Sequence, residues 1–261
     1  MKIWLNLLFA LLLAATGTQA LAQITDINMA INKAGRQRML SQRVGKLYLQ
    51  IGLQVNPDHG KKLLDASMAQ LESQLLELKN FAPTPEIKGI YVKMESLWST
   101  YKDVLLSNPP SPDNARKILA IANDYLALAN QATGLLEKQS GTPGGHLINI
   151  SGRERMLSQR MAEFYNAAAW GVTDARSADA VDAARKEFTS ILTELRSAPI
   201  NTPQINGSLE LVRQQWIFFE NALERKTGAD KQQLTTVATT SERILGEIER
   251  AVGLYEKLAT Q

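Results

Sequence analysis

One stretch of this chain occurs twice. Ile31-Asn32-Lys33-Ala34-Gly35-Arg36-Gln37-Arg38-Met39-Leu40-Ser41-Gln42-Arg43 returns as Ile148-Asn149-Ile150-Ser151-Gly152-Arg153-Glu154-Arg155-Met156-Leu157-Ser158-Gln159-Arg160. The copies differ at Lys33/Ile150, Ala34/Ser151 and Gln37/Glu154, and Tyr48 and Tyr165 extend the match. Equivalent residues lie 117 apart (148 − 31). A period this long does not build a solenoid of small repeats. It builds two similar units packed against each other.

The rest of the chain follows the same plan. From Thr25 onward apolar residues recur at three- and four-residue spacing, with little strand-like alternation, so the chain reads as helical throughout. Helix one is expected from Asp26 to about Leu53, after a Thr25 or Asp26 cap. Asn56-Pro57-Asp58, Ala82-Pro83-Thr84-Pro85 and Pro109-Pro110-Ser111-Pro112-Asp113 break the following helices. Gly141-Thr142-Pro143-Gly144-Gly145 is the strongest punctuation in mid-chain and reads as the inter-repeat linker. It lacks the spacing of a phosphate loop. Helix one is then restated from about His146 to Trp170. Ala198-Pro199 answers Ala82-Pro83, Trp216 answers Trp98, Phe219 answers Tyr101, and Gly253-Leu254-Tyr255-Glu256-Lys257 answers Gly134-Leu135-Leu136-Glu137-Lys138. The aromatic residues at this spacing are expected in the core. The fold class is therefore all-α: two tandem antiparallel four-helix-bundle repeats related by a pseudo-twofold axis, with residues 23–140 as the first repeat and 141–261 as the second.

Residues 1–22 read as a cleavable secretory signal. Lys2 supplies the positive end, Leu5 to Ala15 the apolar run, and Ala20-Leu21-Ala22 the cleavage site. The apolar run is short for a membrane span of about 20 residues. The expected location is the periplasm, with a mature chain starting near Gln23.

The helical wheel explains why the repeated stretch is rich in arginine. At about 100° per residue, Leu40, Val44, Leu47 and Ile51 form a core stripe, with Asn32, Arg36 and Arg43 beside it. A second face carries Ile31, Gly35, Arg38, Gln42 and Gly45, restated as Ile148, Gly152, Arg155, Gln159 and Ala162. A glycine inside a helix costs about 1 kcal/mol against alanine, so small residues on this face imply close approach of another helix. That partner is the same face of the other repeat, or of a second molecule in a homodimer. Arg38 and Arg155 would then meet across the axis. Two facing guanidinium groups repel, and burying one unpaired costs several kcal/mol. A small oxyanion between them would resolve both costs, because the guanidinium fork matches its geometry. The plainer alternative is pairing with carboxylates on neighbouring helices.

The pattern Asn-x-x-Gly-x-x-Arg-Met-x-Ser-x-Arg, here Asn32, Gly35, Arg38, Met39, Ser41 and Arg43 and again Asn149, Gly152, Arg155, Met156, Ser158 and Arg160, resembles the periplasmic sensor module of NarX-type nitrate/nitrite sensor kinases. It is similar also to the N-terminal domain of PilJ-type chemotaxis transducers. The resemblance covers about 13 residues per copy. It implies a four-helix bundle whose motif helices meet at an axis and hold nitrate through the arginine before the methionine. Those residues are Arg38 and Arg155 here, with Gly35 and Gly152 giving room. Arg43 and Arg160 match the second arginine of the family and are expected to support the site, with Asn32, Asn149, Met39, Met156 and the additional Arg36 and Arg153. The additional arginines also admit a larger or more charged anion.

Other chemistry has little to draw on. There are no cysteines and two histidines, His59 and His146, which excludes disulfides and thiolate metal sites. No carboxylate pair suggests acid/base catalysis. Twenty-nine basic against 26 acidic residues, without a basic run, argue against nucleic acid. The expectation is a non-enzymatic binding protein for a small oxyanion, nitrate or nitrite first, without cofactor or metal; the alternative is a helical interaction or scaffold module partnering a membrane-bound sensor, transducer or pilus-related protein with no small ligand.

Overall fold

The computed structural model describes residues 23–107, 109–173, 176–224 and 230–260, without the side chains of 176–178. The expected signal segment, 1–22, lies outside the described residues. Among the described residues eight helices follow one another: α1 (Ile27–Gly52), α2 (Pro57–Phe81), α3 (Pro85–Ser107), α4 (Pro112–Ser140), α5 (Pro143–Ala169), α6 (Arg176–Ser197), α7 (Pro203–Glu224) and α8 (Lys231–Ala259).

The helix ends follow local chemistry. Asp26 caps α1 by accepting from the Asn28 and Met29 amides at 2.8 and 3.0 Å. Five helices begin on a proline, namely Pro57, Pro85, Pro112, Pro143 and Pro203. The first helical position suits proline because its fixed φ is helical and its missing N–H would be unpaired there anyway. Prolines that the sequence shows as breaks are thus starts. Ser111 and Thr142 stand before two of them and cap through their hydroxyls.

The glycine-rich segment in mid-chain is correspondingly shorter as a linker than its composition suggests. Only Gly141 and Thr142 connect α4 to α5; Gly144 and Gly145 are already helical. Gly141 ends α4 in the left-handed region, at φ 61°. A side chain at Gly144 would press on Ala259, and one at Gly145 on Ser140. These glycines let the start of α5 pack against the ends of α8 and α4.

In the first half α1 packs on α2 and α4, and α3 packs on α4; in the second half α5 packs on α6 and α8, and α7 on α8. The most extensive helix–helix contact joins α1 to α5. These two run parallel and in register, since Gly35 lies against Gly152 near one end and Gly52 against Trp170 at the other. The pairing of the motif helices therefore occurs within one chain. A single hydrophobic cluster runs through both halves. It includes Trp98, Tyr101, Trp216 and Phe219, all at most 5% exposed, with Trp216 stacked on Phe188 at 4.3 Å. The all-α, tandem-repeat architecture is as the pattern predicts.

Candidate functional site

Two helices that bring glycine to glycine carry an unusual amount of polar chemistry between them. Gln37, Arg38, Ser41, Gln42 and Lys46 on α1, and Ser151, Glu154, Arg155, Ser158, Gln159 and Glu163 on α5, are all at most 2% exposed. Burial of so many polar groups is tolerable only if most are paired.

Part of the repeated motif proves to be a framework. The Ser41 hydroxyl donates to the Arg38 carbonyl at 2.9 Å, and Ser158 to the Arg155 carbonyl at 2.8 Å. Gln42 Nε2 donates across to the Ala122 carbonyl of α4, and Gln159 Nε2 to the Ser241 carbonyl of α8, each at 3.1 Å. Met39 and Met156 lie in the core, both 2% exposed.

The arginines before those methionines do meet. A Cβ built on Gly35 would stand 3.2 Å from Arg38 Nη2, 3.4 Å from Arg155 Nη2 and 3.7 Å from the Gly152 Cα. Each guanidinium reaches across the seam to the opposite asparagine. Arg38 Nη2 donates to the Asn149 carbonyl and Oδ1 at 2.9 and 2.7 Å. Arg155 Nη2 donates to the Asn32 carbonyl and Oδ1 at 3.1 and 2.8 Å. Each asparagine is held by a glutamate in turn: Asn149 Nδ2 donates to Glu137, and Asn32 Nδ2 to Glu256 at 2.5 Å.

Beyond this shared core the halves part. Arg155 Nη1 donates to Glu249 Oε2 of α8 at 2.9 Å. Arg36 grips the same carboxylate at 3.2 and 2.8 Å. Burial opposes the charge on Glu249, but Arg155 and Arg36 outweigh it and hold its carboxyl at about 2. Glu242, one heptad earlier on α8, does likewise for Arg43 and Lys46, at 2.5 Å each, and also sits at about 2. At the equivalent places α4 offers Asn130 and Asn123. Asn130 Oδ1 accepts from Arg153 at 3.4 Å and Asn123 Oδ1 from Arg160 at 2.7 Å. Arg153 finds a carboxylate elsewhere, in Glu187 of α6.

Arg38 finds none. It is 2% exposed, it makes no ion pair among the described residues, and its Nε has no hydrogen-bond partner. Burial, with Arg153 and Arg155 adding repulsion, pushes its pKa down to about 9, so it remains cationic at neutral pH. Arg155 Nε is also unpartnered, but this arginine has a carboxylate in Glu249, which it shares with Arg36.

Pairing with carboxylates, the plainer expectation from sequence, thus accounts for Arg36, Arg43, Arg153 and Arg155; Arg160, only partly buried, is held by the amide oxygens of Gln42 and Asn123 instead, and Arg38 is the fully buried arginine left out. The carboxylates themselves were not legible as partners, since they come from helices far along the chain. One signal was present: Glu137 and Glu256 belong to the repeated Gly-Leu-x-Glu-Lys segments. Among the described residues no group of three or more His, Cys, Asp or Glu could hold a metal ion, and no helix is long and apolar enough to cross a membrane.

The geometry predicts how the seam answers crowding. Gly35→Ala places a methyl group in tight but tolerable contact, offset by about 1 kcal/mol of helix propensity, so stability should stay within about 1 kcal/mol of wild type. Gly35→Leu must push into α5 and should lose on the order of 3 kcal/mol. Urea unfolding of both variants checks this; equal midpoints would mean the helices do not meet here.

A family model described as the type IV pili methyl-accepting chemotaxis transducer N-terminal region, PilJ, matches residues 20–121 and again residues 138–242. No curated protein and no solved structure matches the chain. Each match contains one motif helix with its arginine, glycine and asparagine, and together they span most of the sequence: the chain belongs to the PilJ family, a signalling rather than a catalytic one.

Proposed function

We propose that the chain is a periplasmic sensory module, working in a type IV pili chemotaxis system, that binds one small oxyanion at Arg38 in the α1–α5 seam. Nitrate and nitrite are the leading ligands. One observation carries this reading: Arg38 is a buried cation with an unpartnered Nε and no carboxylate, while its equivalent Arg155 is neutralised by Glu249. The second half supplies from within what the first half leaves to a ligand. A monovalent planar oxyanion matches the charge and the plane of this one guanidinium. Among the described residues Arg38 is the fully buried arginine of the motif helices without a carboxylate, so the stoichiometry is one per chain.

A thermal-melt screen of the purified protein against nitrate, nitrite, sulfate, phosphate and chloride at fixed ionic strength tests this. Ligand at about 100 times Kd stabilises by about 2.7 kcal/mol, which raises the melting temperature of a domain this size by roughly 5–10 °C. The rise should appear with one anion class and vanish in Arg38→Met. A melt that no anion moves, or a rise that survives in Arg38→Met, sinks the reading.

One observation favours the rival, an interaction module. Leu211, Ile217 and Phe218 on α7 are 44, 45 and 61% exposed, whereas the equivalent positions on α3 are Lys93, Ser99 and Thr100. Under that reading Phe218→Asp changes the sedimentation of the protein or of a complex with a transducer, and no anion alters the melt.

A further inference from the structure

Arg38 is linked to the surface by an unbroken series of polar contacts. Its Nη2 donates to Asn149 Oδ1 at 2.7 Å. Asn149 Nδ2 donates to Glu137 Oε2. The other oxygen of that carboxylate, Oε1, lies 2.6 Å from His146 Nδ1. His146 Nε2 lies 2.9 Å from Glu194 Oε1 of α6. The imidazole is 44% exposed, so the inner end of this series is buried and its outer end meets solvent.

The arrangement at His146 fits one protonation state. A neutral imidazole donates from one nitrogen only. With a carboxylate oxygen on each nitrogen, one contact would then set lone pair against lone pair. The cation donates to both. Among the described residues the charged groups acting on His146 are Glu137 from α4 and Glu194 from α6. Burial disfavours the cation, but these two carboxylates outweigh it and raise the pKa above the usual histidine value. The sign follows: the stability conferred by the protonated ring is complete at pH below the ordinary histidine range and is lost as pH rises through the raised folded value.

The duplication provides an internal control. The other half repeats arginine, asparagine and glutamate as Arg155, Asn32 and Glu256. Where the second copy has His146, the first has Met29, which cannot titrate. The proton-responsive group therefore serves Arg38, the fully buried arginine without a carboxylate, and not Arg155.

We infer that this series makes the Arg38 site proton-regulated, with protonation of His146 tightening the binding of an oxyanion at Arg38. The cause is electrostatic. The charge of Glu137 is felt at Arg38, and there it repels an incoming anion. A proton on His146 offsets that charge, one hydrogen bond beyond Asn149. Reciprocity requires that a bound anion in turn favour the protonated imidazole. The inference rests on the reading of Arg38 as an anion site, and its test separates the two.

The measurement is the NMR titration of the two histidines, with His146 assigned by its loss in His146→Gln and His59 as reference. Saturating nitrate should raise the His146 midpoint by about half a pH unit and leave His59 in place, which corresponds to about threefold tighter binding to the protonated protein. Melts of the same samples report whether nitrate binds at all. Binding without a shift at His146 overturns the relay and leaves the anion site standing. If nitrate does not bind, the anion reading falls, and Arg38→Met decides the relay alone: removing the buried cation should raise the His146 midpoint, and an unchanged midpoint overturns the link.

Discussion

Glu249→Gln should cost the fold about 3–5 kcal/mol, the range seen when one partner of a buried ion pair is removed. The substitution keeps the shape of the side chain and removes its charge. Arg155, fully buried, and Arg36, about one-fifth exposed, both depend on that carboxylate. The reciprocal change is Asn130→Glu. It places a carboxylate on α4 at the position equivalent to Glu249, beside Arg153 and toward Arg38. That variant should gain stability and lose its response to oxyanions, because the ligand position is then filled from within. Denaturant unfolding with and without nitrate measures both effects. A loss under about 1 kcal/mol in Glu249→Gln would mean that Arg155 is not held by charge. A full nitrate response in Asn130→Glu would mean that the two halves are not equivalent at this point.

The second large effect concerns Glu163, whose position on α5 corresponds to Lys46 on α1. Its carboxyl lies over Gly45, where a side chain would overlap it. Glu163 is 1% exposed, and its Oε1 has no hydrogen-bond partner. Burial raises its pKa to about 8 against the pull of Arg160 and Lys46. The folded protein therefore carries a proton here that the unfolded chain releases above the ordinary carboxylate range. Stability should fall as pH rises from about 4.5 toward 8. At about 1.4 kcal/mol per unit, the full effect is on the order of 5 kcal/mol. Glu163→Gln imitates the protonated side chain and should abolish this component. Denaturant midpoints at pH 5 and pH 8 should show the variant equal to wild type at the lower pH and clearly more stable at the higher. A variant less stable than wild type at pH 8 would show that Glu163 is ionised and paired with Lys46 or Arg160.

The helices and their order were legible because helix formation is read locally. The spacing of Leu40, Val44 and Leu47, the Asp26 cap and the breaks at Pro57, Pro85 and Pro112 all act within a few residues. Duplication was legible as identity of sequence, and the glycines at 35 and 152 announced a close helix contact because only a packing gain offsets their cost. The sequence by itself thus determined an all-α pair of repeats, its motif helices and the arginines that meet between them.

Tertiary structure alone decided that the two motif helices pair within one chain, and that they run parallel. It alone decided also which arginines are satisfied. Arg155 and Glu249 are 94 residues apart, and Arg36 and Glu249 213. Nothing local distinguishes the glutamates of α8 from the asparagines of α4 as partners. Their significance appears only when folding brings them to equivalent places on the two sides of one seam. Burial then turns a modest change of side chain into a charge that is either matched or left open, because a low-dielectric interior magnifies what water would screen.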